Sequence, residues 1–80
     1  MLAASETFTW AANGAAVTEW WLYVGSSAGE HDLHDSGSLD ESLSTTVTGL
    51  PTDGRTIHVR LWYLIAGSWQ SADYLYVAAI

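Results

Sequence analysis

Six consecutive residues, Glu30-His31-Asp32-Leu33-His34-Asp35, bring together five side chains able to bind a metal ion. Zn²⁺ or Ni²⁺ takes three or four imidazole or carboxylate ligands converging at about 2 Å. Glu30, His31, Asp32, His34 and Asp35 are therefore the candidate ligands. The spacing Asp32, His34, Ser36, Gly37 also partly follows a calcium loop, but the twelfth position is Leu43, where such a loop needs a bidentate glutamate. Polar loops carry the same residues for solvation alone. The expectation is a solvated loop with at most a weak, adventitious metal site, and no cofactor.

His58, Asp53 and one of the serines have the residue types of a catalytic triad. Nothing around them has the form of a nucleophile elbow or an oxyanion-hole motif, and His58 falls in the middle of an alternating strand pattern. A glycosidase carboxylate pair would need a cleft, which a domain of this size rarely forms. The expectation is that the chain is not an enzyme.

The remaining chemistry is aromatic. In the strand pattern Val17 to Gly25, Trp20, Leu22 and Val24 share one face, and Glu19, Trp21 and Tyr23 share the other. Phe8 and Trp10, from the preceding segment, make the Trp20 face the core. Downstream, Leu50, Ile57, Val59 and Leu61 point inward and His58, Arg60 and Trp62 outward. Near the C-terminus either Tyr74/Tyr76 or Leu75/Val77 could be the inward pair. Leu75 and Val77 are preferred, which puts Tyr74 and Tyr76 on the outer face. The expected contact face is then Trp21, Tyr23, His58, Arg60, Trp62, Tyr74 and Tyr76. Flat aromatic faces suit sugar rings, and they suit equally a neighbouring domain or a second copy of the chain. Cross-strand aromatic pairs also stabilise sheets with no ligand at all.

The elements that must hold these residues are strands. Thr7-Phe8-Thr9-Trp10 alternates, Ala11 to Ala16 is a turn region with Asn13-Gly14 at its centre, and Val17 to Gly25 is rich in aromatic and β-branched residues. Ser26 to Asp40 reads as a long polar loop with a short extended piece near Leu39. Ser42 to Leu50, Arg55 to Ala66 and Asp73 to Ala79 complete a set of short strands separated by turns, the pattern of an all-β sandwich. The Gly49-Leu50-Pro51 corner is where the chain passes from one sheet to the other.

Eighty residues form one domain, 1–80, with a modest core. Cysteine is absent, so no disulfide or thiol chemistry occurs. Arg55 and Arg60 are the only basic residues against nine acids, for a net charge of −7. That field repels phosphates and anionic lipids, which argues against nucleic acid and membrane-surface partners. No apolar run is long enough to insert in a bilayer. The Met1 to Glu6 segment has no export-signal pattern, so a secreted location implies a piece of a larger or processed protein.

Phe8-Thr9-Trp10, Trp20-Trp21-Leu22-Tyr23-Val24-Gly25, Val47-Thr48-Gly49-Leu50-Pro51 and Val59-Arg60-Leu61 together resemble fibronectin type III domains, in the divergent form repeated in secreted bacterial proteins. The likeness covers about residues 7–80. It implies an immunoglobulin-like β-sandwich of about 6–7 antiparallel strands, with the first strand short or missing because only Leu2 to Glu6 could form it. Ile57 stands where such domains often carry a corner tyrosine. The resemblance implies an extracellular module for spacing, adhesion or protein contact, and transfers no catalytic residue. Its partners would be neighbouring domains or another copy of the chain. A carbohydrate-binding module stacking sugars on Trp21, Tyr23 and Trp62 is the alternative reading. A structural subunit of a homomeric filament is another; a missing first strand would leave an unpaired edge beside Thr7–Trp10, open to assembly by strand addition or face stacking.

Overall fold

The computed structural model describes residues 2–12 and 14–80. Asn13, half of the expected Asn-Gly turn, lies outside them. Six antiparallel strands run in chain order: β1 (Glu6–Thr9), β2 (Val17–Gly25), β3 (His34–Ser38), β4 (Ser44–Val47), β5 (Thr56–Ile65) and β6 (Ser68–Val77). No helix occurs among the described residues. A four-stranded sheet, β3-β2-β5-β6, faces a two-stranded sheet, β1-β4. The result is an all-β, sandwich-like arrangement with one core between the sheets.

Alternation within each strand places that core. Trp20, Leu22 and Val24 from β2 are buried, as are Ile57, Val59 and Leu61 from β5. Val47 and Leu50 close it from the other sheet, and Leu2 and Ala78 seal one end. Phe8 and Trp10 are half-buried against it; Trp10 packs on Trp20 with ring centroids 5.8 Å apart. The inward parity of residues 57, 59 and 61 is as expected from the pattern.

The Leu50 corner is fixed by both packing and hydrogen bonding. Gly49 adopts φ 71°, which favours glycine, and the Leu50 N–H donates to the Ala4 carbonyl at 3.0 Å. Asp53 then caps the Gly54 turn, accepting from the Arg55 backbone N–H at 3.2 Å and from its guanidinium at 2.7 Å.

Two features differ from expectation. The polar loop contains a true strand, β3, on the free side of β2. Ser, Gly and Asp have poor strand propensity, and β3 exists through its partner. Its register shifts opposite Trp21 and Tyr23 in a bulge, where Gly37 takes φ 66° and the Ser36 hydroxyl accepts the Leu22 N–H at 2.8 Å. The second difference is at β6. Tyr76 lies opposite Ile57, and Tyr74 opposite Val59. Directly opposed residues share a face, so Tyr74 and Tyr76 point inward, and Leu75 and Val77 point outward. Leu75 is 69% exposed and Val77 49%. The preferred pair for the core was therefore the wrong one. Arg60 is the cause: it faces out, and its opposite residue, Asp73, must face out with it.

The inner face of β6 is only partly covered. Phe8 meets Tyr76 edge to face at 5.7 Å, yet an open cavity of about 540 Å³ remains between the sheets beside Tyr74, Ala72 and Gln70. Among the described residues no first strand flanks β1. Leu2 instead makes one parallel bridge to Ala78 at the end of β6.

Candidate functional site

The outer face of the larger sheet carries the aromatic cluster. Trp21 on β2 lies directly opposite Trp62 on β5, and Tyr23 lies opposite Arg60. On the other side of β5, Leu64 pairs with Trp69 and Arg60 with Asp73. Cross-strand neighbours and diagonals within one face are close enough for large rings to touch. Trp21, Tyr23, Trp62 and Trp69 accordingly line a shallow groove of about 310 Å³.

The rings meet edge to face. Trp21 and Trp69 stand 6.3 Å apart at 85°, and Tyr23 and Trp62 stand 6.1 Å apart at 75°. Trp62 is the floor, since its strand runs between the others. Its indole N–H is buried without a hydrogen-bond partner. Trp69, 44% exposed, is the open wall.

One end of the groove is fixed by charge. The Arg60 guanidinium lies 5.4 Å from the centre of the Trp62 ring and donates to both Asp73 oxygens, at 2.6 and 2.9 Å. The Arg60 hydrogen bonds hold the Asp73 carboxyl below the usual aspartate range. Gly29 brings the polar loop onto Arg60: a Cβ there would come within 2.9 Å of the Arg60 Nη1.

The metal candidates do other work. Asp35 accepts the Trp21 indole N–H at 2.8 Å and the Gly37 N–H at 3.1 Å. The Gly37 bond chiefly, with Trp21 second, keeps its carboxyl below the usual range. His31 stacks on Tyr23 at 4.5 Å and places Nδ1 3.3 Å from Asp35. Asp32 accepts from the Ser26 hydroxyl at 2.7 Å and from its backbone N–H at 3.0 Å, which lowers its pKa. His34 belongs to β3, its Nε2 buried and unpartnered, and Glu30 is exposed. Among the described residues no three His, Asp or Glu side chains converge on a metal position. The run Glu30 to Asp35 buttresses Trp21 and Tyr23 instead.

Of the expected contact face, Trp21, Tyr23 and Trp62 are brought together with Arg60 beside them. His58 sits one row further on, between Gly25 and Leu75. Tyr74 and Tyr76 are on the opposite side of the sheet. Trp69, which lies ahead of the last strand expected at Asp73 to Ala79 but within β6, completes the groove. Its odd-numbered parity with Asp73 was the available signal. Asp53, considered above with His58, is engaged by Arg55.

No family model, curated protein or solved structure matches this chain. The groove is thus the ground for assigning a role. It offers aromatic faces, with one neutralised ion pair at its rim.

Proposed function

We propose that the chain is a non-catalytic extracellular contact module of the immunoglobulin-like, fibronectin type III-like kind, acting through the outer groove. The single observation behind this reading is the clustering of Trp21, Tyr23, Trp62 and Trp69 on one solvent-facing side. A sheet face needs no such concentration for stability, and exposed apolar patches of this kind mark interaction sites. The strand order β3-β2-β5-β6 against β1-β4 supports the fold type. The scarcity of basic residues and the net charge of −7 support a role outside the cell, away from nucleic acid and anionic membranes.

A second reading is favoured by the shape of the groove. A Trp62 floor between aromatic walls matches a pyranose ring, whose C–H face stacks on π systems. The acid-rich surface restricts the choice to neutral glycans, because uronates and sulfated sugars are repelled. Both readings are tested on one array of neutral polysaccharides and extracellular proteins, probed with wild type and with Trp62→Ala. Binding that the variant loses supports the groove, and glycan spots among the positives select the second reading. Equal binding by both proteins, or none, refutes it.

A further inference from the structure

The four-stranded sheet ends in β6, and that edge has none of the usual protection. Edge strands are ordinarily kept single by lysine, proline, a bulge or brevity. β6 is ten residues long, contains neither lysine nor proline, and pairs with β5 without a register shift. Its one charge, Asp73, is neutralised by Arg60. Each of its faces carries exposed large apolar side chains: Tyr74 is 46% exposed inside, and Leu75 69% outside.

Its free hydrogen-bonding groups can be assigned. The Ala78 N–H donates to the carbonyl of Arg55, just before β5, whereas the Val77 carbonyl turns away to accept the Leu2 N–H. Alternation along the strand then directs the N–H and C=O of Trp69, Ser71, Asp73 and Leu75 away from β5. Leu2 occupies only the far end of this row.

From this we infer that β6 pairs with β6 of a second copy, antiparallel about a two-fold axis, forming a continuous eight-stranded sheet. The occupant is a second copy because the edge is self-complementary in one register. With Ala72 opposite Ala72, Ser71 meets Asp73, Trp69 meets Leu75 and Gln70 meets Tyr74. No like charges face one another, and the ladder ends before it reaches Leu2. A charged peptide gains nothing here, since the edge presents no net charge. The register centred on Asp73 would set two carboxylates face to face and is disfavoured. On the inner side, the partner's Gln70 and Tyr74 extend over the open flank of the 540 Å³ cavity.

The test uses the absence of cysteine. Ala72→Cys places two thiols at a non-hydrogen-bonded pair, with Cα atoms about 4.5 Å apart, within disulfide reach. Under mild oxidation it should yield a covalent dimer, while Thr48→Cys, exposed but off the edge, should not. Sedimentation equilibrium of the wild type should show a reversible dimer that tightens with salt, because both copies are acidic. Leu75→Lys should weaken that dimer by about tenfold or more; its site is already exposed, so folding is unaffected. A wild type that stays monomeric up to its solubility limit overturns the inference. So does a dimer indifferent to Leu75→Lys, one abolished instead by Trp62→Ala, or cross-linking no faster at 72 than at 48.

Discussion

Arg60 and Asp73 face each other squarely across β5 and β6, with two parallel N–H···O bonds of 2.6 and 2.9 Å between them. This pair determines which side of β6 is which. With Arg60 directed outward by the burial of Val59 and Leu61, Asp73 finds its partner only if the odd residues of β6 also face out. Placing Leu75 and Val77 in the core would drive a carboxylate inward and strand the guanidinium.

The same pair makes the domain sensitive to acid. Asp73, Asp35, Asp32 and Asp53 all have lowered pKa values through the hydrogen bonds described. A carboxyl with a lowered folded-state pKa contributes stability above its unfolded value, and loses it as the pH falls through the folded one. Thermal melts should therefore show Tm falling from about pH 4 downward. Relief of net negative charge acts in the opposite sense, so the informative quantity is the difference from Asp73→Asn. That variant should melt lower at pH 7 and lose less on acidification. Parallel Tm–pH curves for the two proteins would contradict the assignment.

Trp20 and Trp21 are neighbours in the chain with opposite fates. Trp20 is 4% exposed, inside the core, whereas Trp21 lies on the groove. Trp20→Ala should cost about 3–5 kcal/mol by leaving a cavity, and Trp21→Ala roughly 1 kcal/mol. Urea denaturation of both variants measures the contrast.

The hairpin between β5 and β6 turns on Ala66 and Gly67, with φ 50° and 79°. Two positive values define a type I′ turn, which favours Asn-Gly. Alanine in that conformation is strained. Ala66→Asn should stabilise the domain by about 0.5–1 kcal/mol, read as a higher urea midpoint at unchanged slope.

Gly25 ends β2 where the polar loop folds back. A Cβ there would collide with the Glu30 carbonyl and lie 2.9 Å from the Asp32 carboxylate. Both contacts involve atoms that Ser26 and the loop hold in place. Gly25→Ala should destabilise by about 1–3 kcal/mol, and hydrogen exchange should locate the loosening at residues 26–33.

Much of this architecture is legible in the residues. β2 and β5 announce themselves because large apolar side chains alternate strictly with polar or amphipathic ones, so Trp20, Leu22, Ile57 and Val59 have only one consistent side. β6 lacks that contrast: Tyr74, Leu75, Tyr76 and Val77 are all apolar, and parity is decided by Asp73 through a partner thirteen residues away. β3 was hidden for a different reason. His34 to Ser38 has almost no intrinsic strand preference, and its pairing depends on the bulge at Gly37 and the Ser36 hydroxyl. The groove was partly visible, as Trp21, Tyr23 and Trp62, because those residues sit on the two readable strands. Trp69 was missed because its side follows from β6.

The bridge between Leu2 and Ala78 has a mechanical consequence. Only two hydrogen bonds, Leu2 N–H to Val77 and Ala79 N–H to Leu2, tie the beginning of the described chain to its end, and they run between parallel segments. Tension applied to the two ends would load both bonds in shear at once, before any of the longer ladders felt the pull. Two such bonds resist weakly, so this corner would open first under stretching, lengthening the molecule by a few residues while the aromatic groove stayed intact.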